Sequence, residues 1–194
     1  MNIRENLQQV DQRIRSAALR AGRKPGEVRL VAVTKMVEVA AIQETMACGV
    51  KIFGENRVQE ALPKIQELGM DSVQWHFVGH LQTNKAKQVV SLFDLIHSVD
   101  SLKLAAALDA AIKAWAGKLG ARQKVLVQVN ISGEATKSGV SPERLGLMVK
   151  EMARYQTLSI VGLMVIPPVF DDPERSRPFF RTLRELAKSI EKDG

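Results

Sequence analysis

The stretch VRLVAVTK, residues 28–35, decides the fold class. It begins with a short apolar run rich in valine, which is typical of a strand that is buried on both faces. An amphipathic helix is predicted before it over residues 2–21, with Gly22 and Pro25 at its end. A second helix is predicted after it over residues 38–47. A buried strand between two helices indicates an α/β protein.

The same alternation of strand and helix repeats along the chain. Five further apolar runs are predicted strands, at residues 50–54, 75–79, 95–99, 124–130 and 159–166. The spacing of apolar residues and the capping residues predict helices at residues 58–68, at 82–91, from Ser101 to about Leu119 with Gly120 as its stop, from Ser141 and Pro142, and from Pro173. Strands that alternate with helices pair in parallel, because parallel neighbours need crossover connections.

Two α/β architectures satisfy this pattern, an open doubly wound sheet and a barrel. The first strand is not followed by the G-x-G-x-x-G sequence of dinucleotide-binding folds, and no Walker loop is present. The barrel is therefore favoured. A closed barrel needs eight strands, so the sequence predicts a (β/α)8 TIM-type barrel that lacks the last two strands, formed as a single domain over residues 1–194.

Composition excludes several classes of protein. The chain has 194 residues, 45% of them hydrophobic and 25% charged, which is typical of a globular domain. The net charge is +7, but the basic residues are spread along the chain without interleaved aromatic residues, which argues against nucleic-acid binding. No stretch approaches the 18 to 20 or so apolar residues of a membrane span. The apolar helix faces need no second subunit, so a monomer is expected.

A single cysteine, Cys48, excludes an internal disulfide and fits a reducing compartment. It lies near the end of a predicted helix, where a buried structural thiol is expected rather than a nucleophile. The N-terminus has no apolar segment of the signal-peptide type. We therefore expect a cytoplasmic protein.

Ligands of α/β proteins gather at the carboxyl ends of the strands, so the polar residues that follow each apolar run are the candidates for a site. After the first five runs these residues are Thr34, Lys35, Glu55, Asn56, Arg57, His80, Gln82, Asn84, Ser98, Asp100, Asn130 and Ser132. The sixth run ends at Met164 and Pro167. Lys35 is the most informative, because desolvation beside apolar side chains frees a neutral amine that can form a Schiff base with a carbonyl. The alternative is a surface lysine that caps the next helix.

The remaining candidates carry weaker signals. Asn56 follows Gly54 in a predicted tight turn, where its amide offers a donor and an acceptor to a ligand; equally, it fits the N-cap of the next helix. His76 and His80 are four residues apart, but that spacing on a strand and turn does not place both imidazoles on one side, which argues against zinc. No Ser-His-Asp order or nucleophile-elbow sequence is present.

Five motifs in order along the chain carry a family resemblance. They are VAVTK at residues 31–35, FGENRVQE at 53–60, WHFVGHLQTNK at 75–85, VNI at 129–131 with KSG at 137–139, and GLM at 162–164 with Pro167. Together they resemble the pyridoxal phosphate homeostasis protein family, of the YggS and PROSC type. The resemblance covers nearly the whole chain.

The resemblance implies a single-domain barrel of the alanine racemase N-terminal type that binds pyridoxal 5'-phosphate. The cofactor would be carried as an internal aldimine on the lysine that matches Lys35, with Asn56 and Met164 nearby. The family is understood to act in intracellular vitamin B6 homeostasis by buffering the cofactor and delivering it, with apo-enzymes as expected partners. It has no established catalytic reaction.

The family pattern continues beyond a helix like that of residues 174–192. Its further strands bear a Ser-x-Asp segment and a Val-Arg-x-Gly segment, which bind the phosphate and face the pyridine nitrogen. The sequence stops at Lys192-Asp193-Gly194, and we expect the missing segments in a continuation of the polypeptide. A chain that ended there would leave an open barrel with weaker affinity for the cofactor.

Three other functions fit parts of the pattern. An amino-acid racemase shares the barrel type and the lysine. Racemisation, however, needs acid and base groups on both faces of the substrate, and the only tyrosine that could serve as one of them is Tyr155. A Schiff-base aldolase would need the lysine without a cofactor. A regulatory module would use the basic surface to bind an acidic partner.

Overall fold

The computed structural model describes residues 2–115, 122–134 and 136–192. Seven helices are described: α1 (Ile3–Arg20), α2 (Val39–Ala47), α3 (Val58–Leu68), α4 (Ala86–Val89), α5 (Leu102–Ala114), α6 (Pro142–Met152) and α7 (Arg177–Lys192). They alternate with six strands: β1 (Ala32–Val33), β2 (Ile52–Glu55), β3 (Gln74–Phe77), β4 (Leu95–Val99), β5 (Gln123–Gln128) and β6 (Leu158–Met164). None of the helices in these ranges is long and apolar enough to cross a bilayer.

The strands follow one another in the sheet in chain order, from β1 to β6. The pairs β1–β2, β4–β5 and β5–β6 are parallel, as the helical crossovers require. This confirms the predicted α/β class and the count of six strands in the described part of the chain. The chain divides into two compact units, one up to His76 and the other from Phe77.

The first unit is built on the short β1 and the buried β2. Ala32 lies in register with Phe53, and Val33 lies in register with Gly54. Phe53 and Trp75 are fully buried with their ring centroids 5.6 Å apart, and the Trp75 indole donates to the carbonyl of Gly69 at 3.2 Å. The buried aromatic pair anchors the core of this unit.

The second unit is built on β4, β5 and β6. Ser101 caps α5 as predicted, since its side chain accepts from the backbone N–H of Leu104 at 3.3 Å. The buried Gln123 amide donates to the carbonyls of Phe93 and Asp94, and so ties the start of β5 to the residues before β4. Val125 and Val127 of β5 are fully buried at the centre of this unit.

Several predicted boundaries were wrong. The first strand covers only two residues of the apolar run at residues 28–33, because its pairing with β2 begins at Ala32. The helix predicted over residues 82–91 is a 3-10 turn, Thr83–Lys85, followed by the one-turn α4. Pro173 opens a 3-10 turn rather than α7 itself, and the Ser141 side chain makes no capping bond to the backbone of α6. The predicted end of α5 near Leu119 and Gly120 lies outside the described residues.

Candidate functional site

Lys35 lies two residues after the end of β1, in a turn that the N–H of Val37 closes by donating to the carbonyl of Thr34 at 3.0 Å. Met36 has φ 58° within this turn and is 89% exposed. Lys35 is itself exposed, and its amine forms no hydrogen bond or ion pair with any described residue. It does not cap α2, which begins at Val39 with Glu38 as its N-cap.

The expectation that apolar side chains desolvate the Lys35 amine was wrong. A two-residue strand at the end of the strand order carries Lys35 beyond the buried part of the sheet, so its side chain reaches solvent. Cys48 also departs from its prediction, because it is half-buried at the C-cap of α2 rather than fully buried.

A buried polar cluster consists of Thr34, Glu55 and Lys64, and its first member directly precedes Lys35. The Thr34 hydroxyl donates to Oε1 of Glu55 at 2.7 Å, and Nζ of Lys64 donates to the same oxygen at 2.8 Å. Lys64 Nζ also donates to the backbone carbonyl of Thr34 at 2.7 Å. The Glu55 side chain is 0% exposed and that of Lys64 is 11% exposed. The cluster is a buried ion pair with a hydroxyl and a carbonyl attached.

Sequence reasoning identified Thr34 and Glu55 but missed Lys64. The signal was present in the helical spacing, because Lys64 is three residues from Ala61 and next to Ile65, both of which are buried in α3. A lysine on the buried face of a helix needs an acidic partner, which here is Glu55.

Asn56 follows β2 and is half-buried. The N-cap of α3 is Arg57, with no side-chain capping bond, so the alternative that Asn56 caps this helix was wrong. Oδ1 of Asn56 and Oε2 of the adjacent Glu55 are buried and accept no hydrogen bond in the described part of the chain. Buried acceptors are nearly always paired in native proteins, so two unpaired acceptors in succession mark a place where a donor is expected.

Met164 ends β6 in the second unit and is half-buried. It lies in register with Gln128, and its carbonyl accepts from the N–H of Val129 at 2.8 Å. Gln128 also lines a cleft of about 180 Å³ in this unit, together with His80, Asn130, Lys137 and Ser138. Met164 therefore lies at the strand end where this unit presents its polar residues.

The loop of the KSG motif is held by Asn130 and Gly139. The Asn130 amide donates to the carbonyls of Glu134 and Lys137, at 2.9 and 3.2 Å. Gly139 has φ 131°, and a Cβ built there would lie 2.5 Å from the backbone nitrogen of Asn130. Only glycine permits this close approach of two backbone segments.

His80, Ser138 and Asp100 lie together in the second unit, although their order in the sequence gave no sign of a triad. Oγ of Ser138 is 3.0 Å from Nδ1 of His80, and Oδ2 of Asp100 is 3.7 Å from the same nitrogen. A serine hydrolase uses the two imidazole nitrogens separately, one for the nucleophile and one for the carboxylate. Because both partners share Nδ1 here, the arrangement is not that of a catalytic triad.

Comparison with known proteins places the chain in a family. The model of the alanine racemase N-terminal domain matches residues 2–194. The pyridoxal phosphate homeostasis protein of Aquifex aeolicus is 42% identical over 193 residues, which cover 100% of this chain and 83% of the relative. The chain belongs to the pyridoxal phosphate homeostasis protein family. The resemblance seen in its motifs is thereby confirmed.

Solved structures agree with this assignment. PipY of Synechococcus elongatus PCC7942, solved with pyridoxal phosphate bound, matches with a TM-score of 0.76 and 39% identity, over 92% of this chain and 81% of PipY. The alanine racemase of Streptomyces coelicolor A3(2) matches with a TM-score of 0.68 and 20% identity, over 95% of this chain and 48% of the racemase. The second likeness shows the fold alone, and it confirms the expected fold type.

Proposed function

We propose that this protein binds pyridoxal 5'-phosphate covalently through Lys35 and acts in intracellular vitamin B6 homeostasis, without catalysing a reaction of its own. The observation that carries the proposal is the exposed Lys35 amine, which has no partner among the described residues and follows a Thr34 whose polar groups are all engaged. The names of the relatives and the cofactor bound in PipY support it.

The residues at the ends of β1 and β2 fit this cofactor. Pyridoxal phosphate supplies an aldehyde, which a neutral lysine amine captures as a C=N bond with release of one water molecule. Lys35 offers an accessible amine, and Asn56 offers a buried acceptor that no described residue pairs. We therefore assign covalent attachment to Lys35 and a polar contact with the cofactor to Asn56.

Met164 is the third proposed cofactor contact. Met164 is the last residue of β6, and Lys35 lies two residues after the last residue of β1, so both lie at the carboxyl end of a strand. Ligands of this fold type gather at the carboxyl ends of strands. A methionine supplies a flexible apolar surface suited to an aromatic ring. We propose on the same grounds that residues 1–194 act as one cofactor-binding domain.

The position of Tyr155 supports a function without racemisation. The chain has one tyrosine, and it lies between the end of α6 and the start of β6. Met164 lies at the other end of this seven-residue strand, about 20 Å away at 3.3 Å per residue. A tyrosine base from this chain is thus far from the strand end at which a substrate would lie.

Transfer of the cofactor to apo-enzymes is the role we assign to the bound form. We place the protein in the cytoplasm, because the single cysteine suits a reducing compartment, and we propose a monomer, because the apolar helix faces need no second subunit. We assign no nucleic-acid partner, since the basic residues are spread along the chain.

An absorbance titration with pyridoxal phosphate tests the proposal. We expect the wild-type chain to develop the visible band of a lysine-bound cofactor, and Lys35→Ala to develop none. Lys51→Ala, which removes an exposed lysine at the start of the neighbouring strand, serves as the matched control and should bind like the wild type. Equal spectra for Lys35→Ala and the wild type would refute the assignment. An assay of alanine racemisation with the loaded protein should show no turnover.

A further inference from the structure

The cluster of Thr34, Glu55 and Lys64 has no role in the function proposed so far. Removing a carboxylate and an ammonium from water is energetically costly, and replacing a buried ion pair by apolar residues of similar volume often leaves a protein equally stable or more stable. A buried ion pair therefore gives weak support to stability as such. Its contacts indicate what it does instead.

Every polar group of Thr34 is engaged. Its N–H donates to the carbonyl of Gly54 at 2.9 Å, and its hydroxyl donates to Glu55. Its carbonyl accepts from Lys64 at 2.7 Å and from the N–H of Val37 at 3.0 Å. That carbonyl belongs to the peptide bond between Thr34 and Lys35. The cluster thus holds the peptide unit from which the Lys35 side chain departs.

The strand itself supplies little of this support. β1 has two residues, and Lys35 and Met36 are both exposed in the turn that follows. Covalent capture of an aldehyde needs the amine within bonding distance of the carbonyl carbon, and a mobile backbone lowers the fraction of time it spends there. A buried, charge-assisted hydrogen bond to the Thr34 carbonyl restricts that motion more strongly than a neutral bond would.

We infer that Lys64 and Glu55 are positioning residues for Lys35, acting through the backbone carbonyl and the hydroxyl of Thr34. The inference rests on the proposed function of Lys35. Glu55 holds the Thr34 hydroxyl and neutralises Lys64, while Lys64 holds the Thr34 carbonyl. The pair therefore sets the rate of covalent attachment rather than the noncovalent affinity for the cofactor.

The main test compares Lys64→Met with Lys51→Met, which removes an exposed lysine of the same unit. We expect Lys64→Met to slow covalent attachment at saturating pyridoxal phosphate about 10- to 100-fold, since two charge-assisted hydrogen bonds are lost. Binding of 4'-deoxypyridoxine 5'-phosphate, which lacks the aldehyde, should change less than about threefold, because it needs no positioned amine. Lys51→Met should match the wild type in both measurements.

Hydrogen exchange in the cofactor-free protein gives an independent readout. The peptide that contains residues 34–37 should lose protection in Lys64→Met but not in Lys51→Met. An unchanged attachment rate together with unchanged protection in folded Lys64→Met would overturn the inference. An equal loss of affinity for the aldehyde-free analogue would overturn it too, because that result indicates damage to the whole site.

A second pair of variants keeps the test decisive if Lys64→Met does not fold. Thr34→Val removes only the hydroxyl, while Thr34→Ser keeps it. We expect slower attachment and faster exchange in Thr34→Val and near-normal values in Thr34→Ser. Equal behaviour of the two variants would contradict the inference. Failure of the wild type to attach the cofactor at Lys35 would instead refute the proposed function, and hydrogen exchange would still report on the positioning of Thr34.

Discussion

Gly139→Ala should destabilise the second unit strongly. Gly139 has φ 131°, and a Cβ there would lie 2.5 Å from the Asn130 nitrogen and 2.8 Å from the Val129 carbonyl carbon. A side chain in this conformation costs about 1–3 kcal/mol. Relief of the clash separates two backbone segments that are joined by two hydrogen bonds. The N–H of Asn130 donates to the carbonyl of Val140, and the N–H of Val140 donates to the carbonyl of Gln128, both at 2.9 Å. Each lost bond adds about 1 kcal/mol.

The expected loss in free energy of unfolding is therefore about 3–5 kcal/mol, measured by urea denaturation followed by circular dichroism. Gly146→Ala is the control. Gly146 lies in α6, where a Cβ would meet open space, so alanine should stabilise the protein by about 0.5–1 kcal/mol. The two substitutions are chemically identical but should change the free energy of unfolding in opposite directions. A change below about 0.5 kcal/mol for Gly139→Ala would refute the reasoning.

Three further predictions concern the core, an acidic side chain and the site. Trp75→Ala removes a fully buried indole packed on Phe53 and should cost about 3–5 kcal/mol in urea denaturation; a loss below about 1 kcal/mol would show that the pair does not organise the first unit. Burial raises the pKa of Asp109, but hydrogen bonds from Lys113 and Thr157 outweigh burial and hold that pKa below its usual value. A carboxyl with a lowered pKa in the folded state stabilises the protein above its unfolded pKa, near 3.9, and loses that contribution as the pH falls through the lowered value. Between pH 6 and pH 2, urea midpoints of Asp109→Asn should thus fall less than those of the wild type, and parallel profiles would exclude this role. Asn56→Ala should weaken binding of pyridoxal phosphate about tenfold in an absorbance titration through loss of its acceptor, and unchanged affinity would remove Asn56 from the site.

The fold was largely predictable because its signals are local. β4 was predicted at residues 95–99 and occupies them, and the glycine after α3 was predicted as its end and is its C-cap, Gly69, with φ 81°. The start of β1 was not predictable, because residues 28–31 have strand-like composition but extend beyond the register that pairs Ala32 with Phe53. Pairing partners, rather than propensity, set that boundary.

The candidate site was predictable only in part. Lys35 and Asn56 were found because each follows a predicted strand, and that rule needs only the order of the elements. The exposure of Lys35 depends on the position of β1 in the sheet, which no local pattern records. Lys64 is nine residues from Glu55 and thirty from Thr34 in the chain, so their contact arises from the packing of α3 and not from any motif.

The most direct test is reduction with borohydride in the presence of pyridoxal phosphate, followed by peptide mass spectrometry. Reduction converts the C=N bond into a stable secondary amine, which marks the lysine that held the cofactor. We expect the phosphopyridoxyl group on Lys35 in the wild type and in Lys51→Ala, and its loss from that peptide in Lys35→Ala with no compensating label elsewhere. Label spread over surface lysines and undiminished in Lys35→Ala would contradict the assignment of Lys35.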